Sequence, residues 1–485
     1  MLEDIINERL KKRETLLAGG KNPYPAKVPR THEIGALLRN FLIFSLLRKK
    51  VSAAGRIIGK RAQGGVMFLD LQDASGKIQA VANKKKFSEF NLYKDTLDIG
   101  DFISVSGRLF KTKKGEKSIE VSNLTVAAKS LRPLPTTWYG FHDEEEKLRK
   151  RYLDILFNPE VRDMVEKRAK FWNSIRKFLI DRKFLEVETP VLETLPGGAD
   201  ARPFTTHHNA LDMDVFLRIS MGELWQKKLM VAGFEKTFEI GRQFRNEGMD
   251  AEHLQDYTQM EFYWAYADYE MGMALVEDLF KTVAKETFGA LKFKIGEFDV
   301  DFGKKWEHYD YRDTVKKYTG IDILNTDIGE MESKLKELKI HYDKKGFNLT
   351  RAIDNLWKYC RRQIGGPGFL TSVPVEVSPL AKKDEKQPQL TQRFQVIIAG
   401  SELGNGYSEL NDPVDQEERF NAQMKLREAG DEEAQRKDND FLEALQYGMP
   451  PTCGFGMSER VFSFLMNKSA RECQIFPLMK PKNEK

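Results

Sequence analysis

Residues 238–263 read FEIGRQFRNEGMDAEHLQDYTQMEFY, and the reading of the whole chain turns on them. Residues 236–242 and 256–264 have the pattern of two β-strands around a charged loop that carries Arg245 and Glu247. Side chains two apart on a strand share a face. Glu261 and Tyr263 therefore point the same way, with Gln259 beside them. An arginine and several carboxylates on one antiparallel face make a poor core, because an unpaired buried charge is very costly. A charged ligand that supplies the missing partners removes that cost.

At 485 residues the chain holds more than one domain and can bury a large core. Its three cysteines (Cys360, Cys453, Cys473) have no metal-binding spacing and cannot build a disulfide framework, which points to a reducing, cytoplasmic compartment. The N-terminal MLEDIINERLKKRE is an acidic-basic helical pattern, unlike a signal peptide. The apolar run FLIFSLL, residues 41–47, is far shorter than the ~20 residues a membrane helix needs. Core packing or a helix–helix contact is expected of it, and no membrane association. Charge is uneven: residues 1–140 hold 26 Lys and Arg against 13 Asp and Glu, the remainder 52 against 60. A basic N-terminal portion ahead of a mildly acidic remainder suggests a polyanion-binding module in front of an enzyme.

After a helical extension, residues 1–50, the segment 51–130 alternates in short strands: VSAAGRII, VMFLDLQD, GKIQAVA, DFISVSGRLF and SIEVSNLTVAA, with a polar helical stretch at 84–93. Five strands with a helix between the third and fourth fit an OB-fold barrel, which binds oligonucleotides on its central strands. Phe68 shares a face with Asp70 and could stack an unpaired base, while Gln79 and Glu116 could read its edge. A linker, residues 131–150, starts with the proline-punctuated LRPLPTTWYG. Residues 151–485 follow as a second domain. Amphipathic helices are expected at 147–158 and 161–183, then a short strand with Glu186 and Glu188, stopped by Pro190. Gly197 and Gly198 allow close backbone approach to a ligand. His207 and His208 read as part of a polar loop. Glu223 begins a helix after Gly222, where a carboxylate suits the helix dipole. Further on, SELGNGYSELNDP gathers Glu402, Asn405, Tyr407 and Glu409, and PPTCGFGMSERVF sets Gly454 and Gly456 before Arg460. Arg460 at that point can lie over a phosphate or an adenine ring.

FRNEG followed by a strand with Glu-x-Tyr resembles motif 2 (about 236–264) of the class II aminoacyl-tRNA synthetases. The helix–strand–Pro unit at about 165–190 resembles their motif 1, and about 450–466 their motif 3. PGGADARPFTTHHNALDMD, AYADYE, EVSPLAKK and GNGYSELNDP narrow the resemblance to the lysine-specific, bacterial-type branch. That resemblance implies an α+β chain: an OB-fold anticodon-binding domain, then a catalytic domain with an antiparallel sheet flanked by helices. The implied activity is ATP-dependent attachment of L-lysine to tRNA(Lys) by a homodimer through lysyl-adenylate. By position, Gly198, Glu223, Arg245, Glu261, Tyr263, Asn405, Tyr407 and Glu409 would hold lysine. Arg245, Glu247, His253, Tyr257, Glu402 and Arg460 would hold ATP, with Arg245 and Arg460 catalytic. Glu402 would ligate Mg2+, and Phe68, Gln79 and Glu116 would meet the anticodon.

The chain departs from the family pattern at several points. Gln395 stands where a second metal-binding glutamate is usual, and Leu254 and Ser458 replace an asparagine and a glycine. The segment before Glu223 is one residue longer than usual and motif 3 about one shorter. These changes bear on the number of metal ions and on the adenine-end contacts. Two other readings remain: a class II synthetase for aspartate or asparagine, and a catalytically silent RNA-binding relative. Three carboxylates in the pocket suit a ligand with two ammonium groups better than aspartate.

Overall fold

The computed structural model describes residues 2–135 and 143–482, apart from positions 200, 249, 343, 345, 346, 432 and 433. The chain divides into two compact units, Met1–His142 and Asp143–Lys485. The division falls within the expected linker, of which residues 136–142 lie outside the described residues.

In the first unit β1 (Lys50–Gln63), β2 (Val66–Asp73), β3 (Gly76–Asn83), β4 (Phe102–Lys111) and β5 (Lys117–Ala128) close into a barrel in the order β1-β2-β3-β5-β4. Alternation builds it. Met67, Leu69 and Leu71 point inward and are fully buried, whereas Phe68 and Asp70 face out, half-buried. Helix Phe90–Thr96, between β3 and β4, sends Phe90 and Tyr93 into the barrel core, and the Tyr93 hydroxyl donates to Leu124 O at 3.0 Å. That helix begins six residues later than the polar stretch suggested.

Helices Leu2–Ala18, Ile34–Arg39 and Phe41–Leu46 contribute Leu16, Ile34, Leu37 and Phe41 to the same core. The FLIFSLL run departs from expectation here. Only Phe41 is buried, while Leu42, Ile43, Leu46 and Leu47 are exposed, Leu46 by 82%. A six-residue helix laid on a barrel has one inward side, and the remaining apolar residues are left facing out.

The second unit is built on eight strands: β6 (Leu185–Glu186), β7 (Lys236–Phe244), β8 (Asp256–Ala265), β9 (Glu307–Asp310), β10 (Gly368–Thr371), β11 (Arg393–Ile398), β12 (Ser401–Ser408) and β13 (Thr452–Ser458). Their order is β9-β10-β11-β12-β13-β8-β7-β6. The sheet is antiparallel in its middle and parallel at both edges, where β6 joins β7 and β9 joins β10. Helices Pro159–Asp181 and Tyr269–Phe288 cover one face. Phe171, Ile175, Phe178, Val276, Leu279 and Phe280 pack there with Phe238, Phe262, Phe394 and Phe455 of the strands. Each such side chain contributes about 1.5–3 kcal/mol on burial. Because strand neighbours alternate, filling this face with Met260 and Phe262 turns Glu261 and Tyr263 to the opposite face.

Two local expectations change. The long helix ends at Asp181, and Lys183 takes a left-handed φ of 67°. His207 and His208 lie on a strand, Thr205–His208, paired with Met213–Leu217, and the His207 ring meets Asp214 at 3.1 Å.

Candidate active site

On the face away from the two long helices, strands β8, β12 and β13 and helix Glu223–Val231 surround a cavity of about 140 Å3. Gly198, Glu223, Arg245, Glu261, Tyr263, Asn405, Tyr407 and Glu409 all line it, with Ser220, Gln259, Gly454 and Gly456. Every residue singled out for lysine therefore lies in one place. The glycines make the room. A Cβ on Gly454 would sit 2.1 Å from Glu409 Oε1, and one on Gly456 3.0 Å from Glu261 Cγ. Gly198, at φ 82°, lets the loop lie against Ser220 and Glu223.

Glu261 is held from three sides. It accepts from Met221 N at 3.1 Å, Gln259 Nε2 at 2.6 Å and the Tyr263 hydroxyl at 3.1 Å. Glu239, directly across on β7, has its own partners: Arg218 donates at 2.6 Å and the Thr189 hydroxyl at 2.7 Å. Asn405 is oriented by Arg393 Nε at 2.7 Å, and Tyr407 donates its hydroxyl to Glu223. Glu409 pairs with a lysine of the neighbouring helix. It meets Lys227 Nζ at 2.6 Å, and Lys227 also donates to Glu223 at 2.8 Å.

Burial, with the Glu223 charge added, pushes the Glu261 carboxyl up to about 7. Burial lifts Glu409 to about 8 against the pull of Lys227. Burial and Glu223 also drive both tyrosine hydroxyls well above their ordinary value. Both carboxyls therefore ionise less readily than exposed ones.

A second cleft of about 170 Å3 adjoins the first, and Arg245, Gln259 and Gly456 line both. It is bounded also by Glu252, His253, Leu254, Tyr257, Glu402 and Arg460. Arg245 donates to Ile219 O at 3.3 Å and stands 5.9 Å from the Tyr257 ring. Arg460 donates to Ser401 Oγ at 2.7 Å and pairs with Glu252. Although burial opposes it, Arg460 holds the Glu252 carboxyl below the usual range. Glu247, expected at the adenine end, is exposed and lies outside the lining of this cleft.

Glu402 shares a face with Asn405 and Tyr407 although their numbering differs in parity. A bulge explains this: Val396 faces Gly404 and Ile397 faces Glu402, leaving Leu403 as the extra residue. Glu402 accepts from Trp357 Nε1 at 2.5 Å and from Gln395 Nε2 at 3.0 Å. The amide oxygen of Gln395 is buried without a hydrogen-bond partner. Among the described residues no three His, Cys, Asp or Glu gather as a metal site.

In the first unit, Phe68, Asp70, Gln79 and Val81 share the outer face of β2 and β3. Gln79 is anchored by the Ser118 hydroxyl at 3.1 Å, and Glu116 is exposed ahead of β5.

Sequence reasoning missed Lys227 and Glu252. Lys227 is one of two adjacent lysines in a helix, and Glu252 stands in a charged loop. Neither has a local signal.

Residues 143–480 match the model of the class II tRNA synthetases (D, K and N), and residues 51–127 match that of the OB-fold nucleic acid binding domain. A lysine–tRNA ligase of Roseiflexus sp. (strain RS-1) is 43% identical over 99% of this chain and 100% of its own length. One from Clostridium tetani is 43% identical over 98% of this chain and 96% of its own. One from Thermosipho africanus is 41% identical, covering 99% and 97%.

Proposed function

Because the chain belongs to the class II (D, K and N) tRNA synthetases and its activity is lysine–tRNA ligation, we propose that the 140 Å3 cavity seats lysine and the adjoining cleft seats ATP. The observation that carries this is the convergence of Glu223, Glu261 and Glu409 in a cavity that opens, at Arg245, onto the cleft holding Arg460. Gly198 and Glu223 take the α-ammonium, and Glu409 and Tyr263 the ε-ammonium. Glu261, Asn405 and Tyr407 complete the wall. Arg245 spans the lysine carboxylate and the α-phosphate, Arg460 lies at the γ-phosphate side, and His253 and Tyr257 belong to the adenine end.

In the first step a lysine carboxylate oxygen attacks the α-phosphorus and pyrophosphate leaves. Arg245 and Arg460 offset the charge gathered on the phosphate oxygens. In the second, the 3′-terminal ribose hydroxyl of tRNA(Lys) attacks the carbonyl of the mixed anhydride and AMP leaves. No side chain acts as nucleophile; positioning supplies much of the rate. Glu402 and the unpartnered Gln395 oxygen would hold magnesium. Mg2+ commonly uses one or two protein groups plus substrate phosphates, and when bound it would neutralise phosphate charge.

The barrel face around Phe68 reads the anticodon, and the unit containing Pro159–Asp181 and β6 forms a homodimer. Three free, buried cysteines accord with a cytoplasmic location. ATP–pyrophosphate exchange with each of the twenty amino acids tests the assignment. Lysine alone should drive it, and equal exchange with aspartate would sink it.

A further inference from the structure

Lys227 is fully buried one turn behind Glu223, and it does not line the cavity. Its ammonium lies 2.8 Å from Glu223 Oε1 and 2.6 Å from Glu409 Oε2, on the far side of the wall that those two carboxylates present to the cavity. The Tyr407 and Phe441 rings stand 5.4 and 5.8 Å from it. Glu223 comes from its own helix, Glu261 and Tyr263 from β8, Tyr407 and Glu409 from β12 and its end, and Cys453 from β13. The helix Asn439–Gln446 brings the Phe441 ring.

We propose that Lys227 is a positioning residue for the amino acid, a fixed counter-charge that lets three carboxylates share one small cavity with a doubly cationic ligand. The proposal rests on the cavity being the lysine site. Glu223, Glu261, Glu409 and Arg245 give the cavity lining a balance of two negative charges, and Lys227 reduces it to one. Free lysine, with two ammonium groups and one carboxylate, carries a single positive charge, so the filled site is neutral. Without Lys227 the filled site holds one uncompensated negative charge in a buried place, where such a charge is costly. One carboxyl then keeps its proton and stops serving as an acceptor for the ligand. Lys227 touches no reacting atom. It acts through Glu223 and Glu409, which it also fixes in place.

Burial works against the Lys227 ammonium, and Glu223 and Glu409 outweigh it, so Lys227 is held above its ordinary value and stays charged across the working range. Glu409, pushed up to about 8 by burial, is drawn down by Lys227. Removing the ammonium therefore moves carboxyl ionisation to higher pH.

The test is calorimetric titration of lysine into the full chain, without tRNA, across about pH 6.5–8.5. The chains compared are the unaltered protein, Lys227→Gln, Lys227→Met and Lys227→Arg. The unaltered chain should bind lysine more tightly as pH rises. Both neutral variants should bind about ten- to a hundredfold more weakly at neutral pH, with the tightening displaced to more alkaline pH and the KM for ATP in pyrophosphate exchange within about threefold. Lys227→Arg should restore the original pH dependence. Lys227→Gln keeps a donor without the charge, so it separates charge from hydrogen bonding and stands in if the Met variant does not fold. Neutral variants with an unshifted pH dependence would overturn the proposal, as would an Arg variant no better than Met. If the unaltered chain binds ATP but no lysine, the site assignment fails first, and the role of Lys227 with it.

Discussion

Gln395 donates its amide to Glu402 across 3.0 Å, where a carboxylate in place of the amide would set two like charges side by side. That contact makes Gln395→Glu informative. Two carboxylates so close cannot both ionise without a cation. In chelator at about pH 8 the variant should melt about 2–5 °C lower than the unaltered chain. Magnesium with ATP should recover most of the loss. A melting temperature indifferent to magnesium would remove Glu402 and Gln395 from the metal site.

Phe68 stands half-buried on the outer face of β2, away from the Met67, Leu69 and Leu71 core. A base stacked on an aromatic ring is worth ~1–3 kcal/mol. Phe68→Ala should lower the rate of tRNA charging about ten- to a hundredfold. Pyrophosphate exchange without tRNA should stay close to normal. Loss of both in step would make Phe68 a packing residue.

Ile180, Leu185, Val191 and Leu192 are exposed apolar side chains along the helix–strand unit that follows Pro159. A monomer gains nothing from showing them to water. Light scattering should give twice the 56.0 kDa of the chain at micromolar concentration. Leu185→Glu with Leu192→Asp should shift it toward the monomer. A monomer from the unaltered protein would refute the dimer.

Period-two alternation made the barrel and the Glu261–Tyr263 face legible, because it depends only on neighbours along one strand. Lys227 was not legible. It follows Gln226 and precedes Lys228, and only the helix phase against β12 sends one lysine inward and the other to Asp440 at the surface. The Leu403 bulge was hidden for a similar reason, since register belongs to two strands at once. Residues 41–47 misled because hydrophobicity says that a segment would gain from burial, not that a surface is there to cover it.

Glu409→Gln now has two expected effects. The Gln amide keeps the shape but not the charge, so the apparent KM for lysine should rise by about two orders of magnitude. ATP affinity should change little. Lys227 loses one of its two carboxylates, and breaking a buried pair costs about 3–5 kcal/mol when the remaining charge is uncompensated. Glu223 remains, so the loss of stability should be smaller. A variant less stable but unchanged in lysine KM would reduce Glu409 to a support for Lys227.

Burial raises Glu261 to about 7 and Glu409 to about 8, both from an ordinary 4.5. Between about pH 5 and 8 the folded, empty protein therefore binds protons that the unfolded chain has released. Their share of stability is full at the acid end of that window and falls as pH rises. Bound lysine has the opposite sign, because its ammonium groups favour the ionised carboxylates. At one fixed lysine concentration, the rise in melting temperature should be larger at about pH 8 than at about pH 6. With lysine at the same multiple of its own KM, Glu409→Gln should show a smaller difference, since one of the two titrating groups is gone and Glu261 remains. Equal increments at both pH values in the unaltered chain would mean that neither carboxyl gives up a proton to lysine.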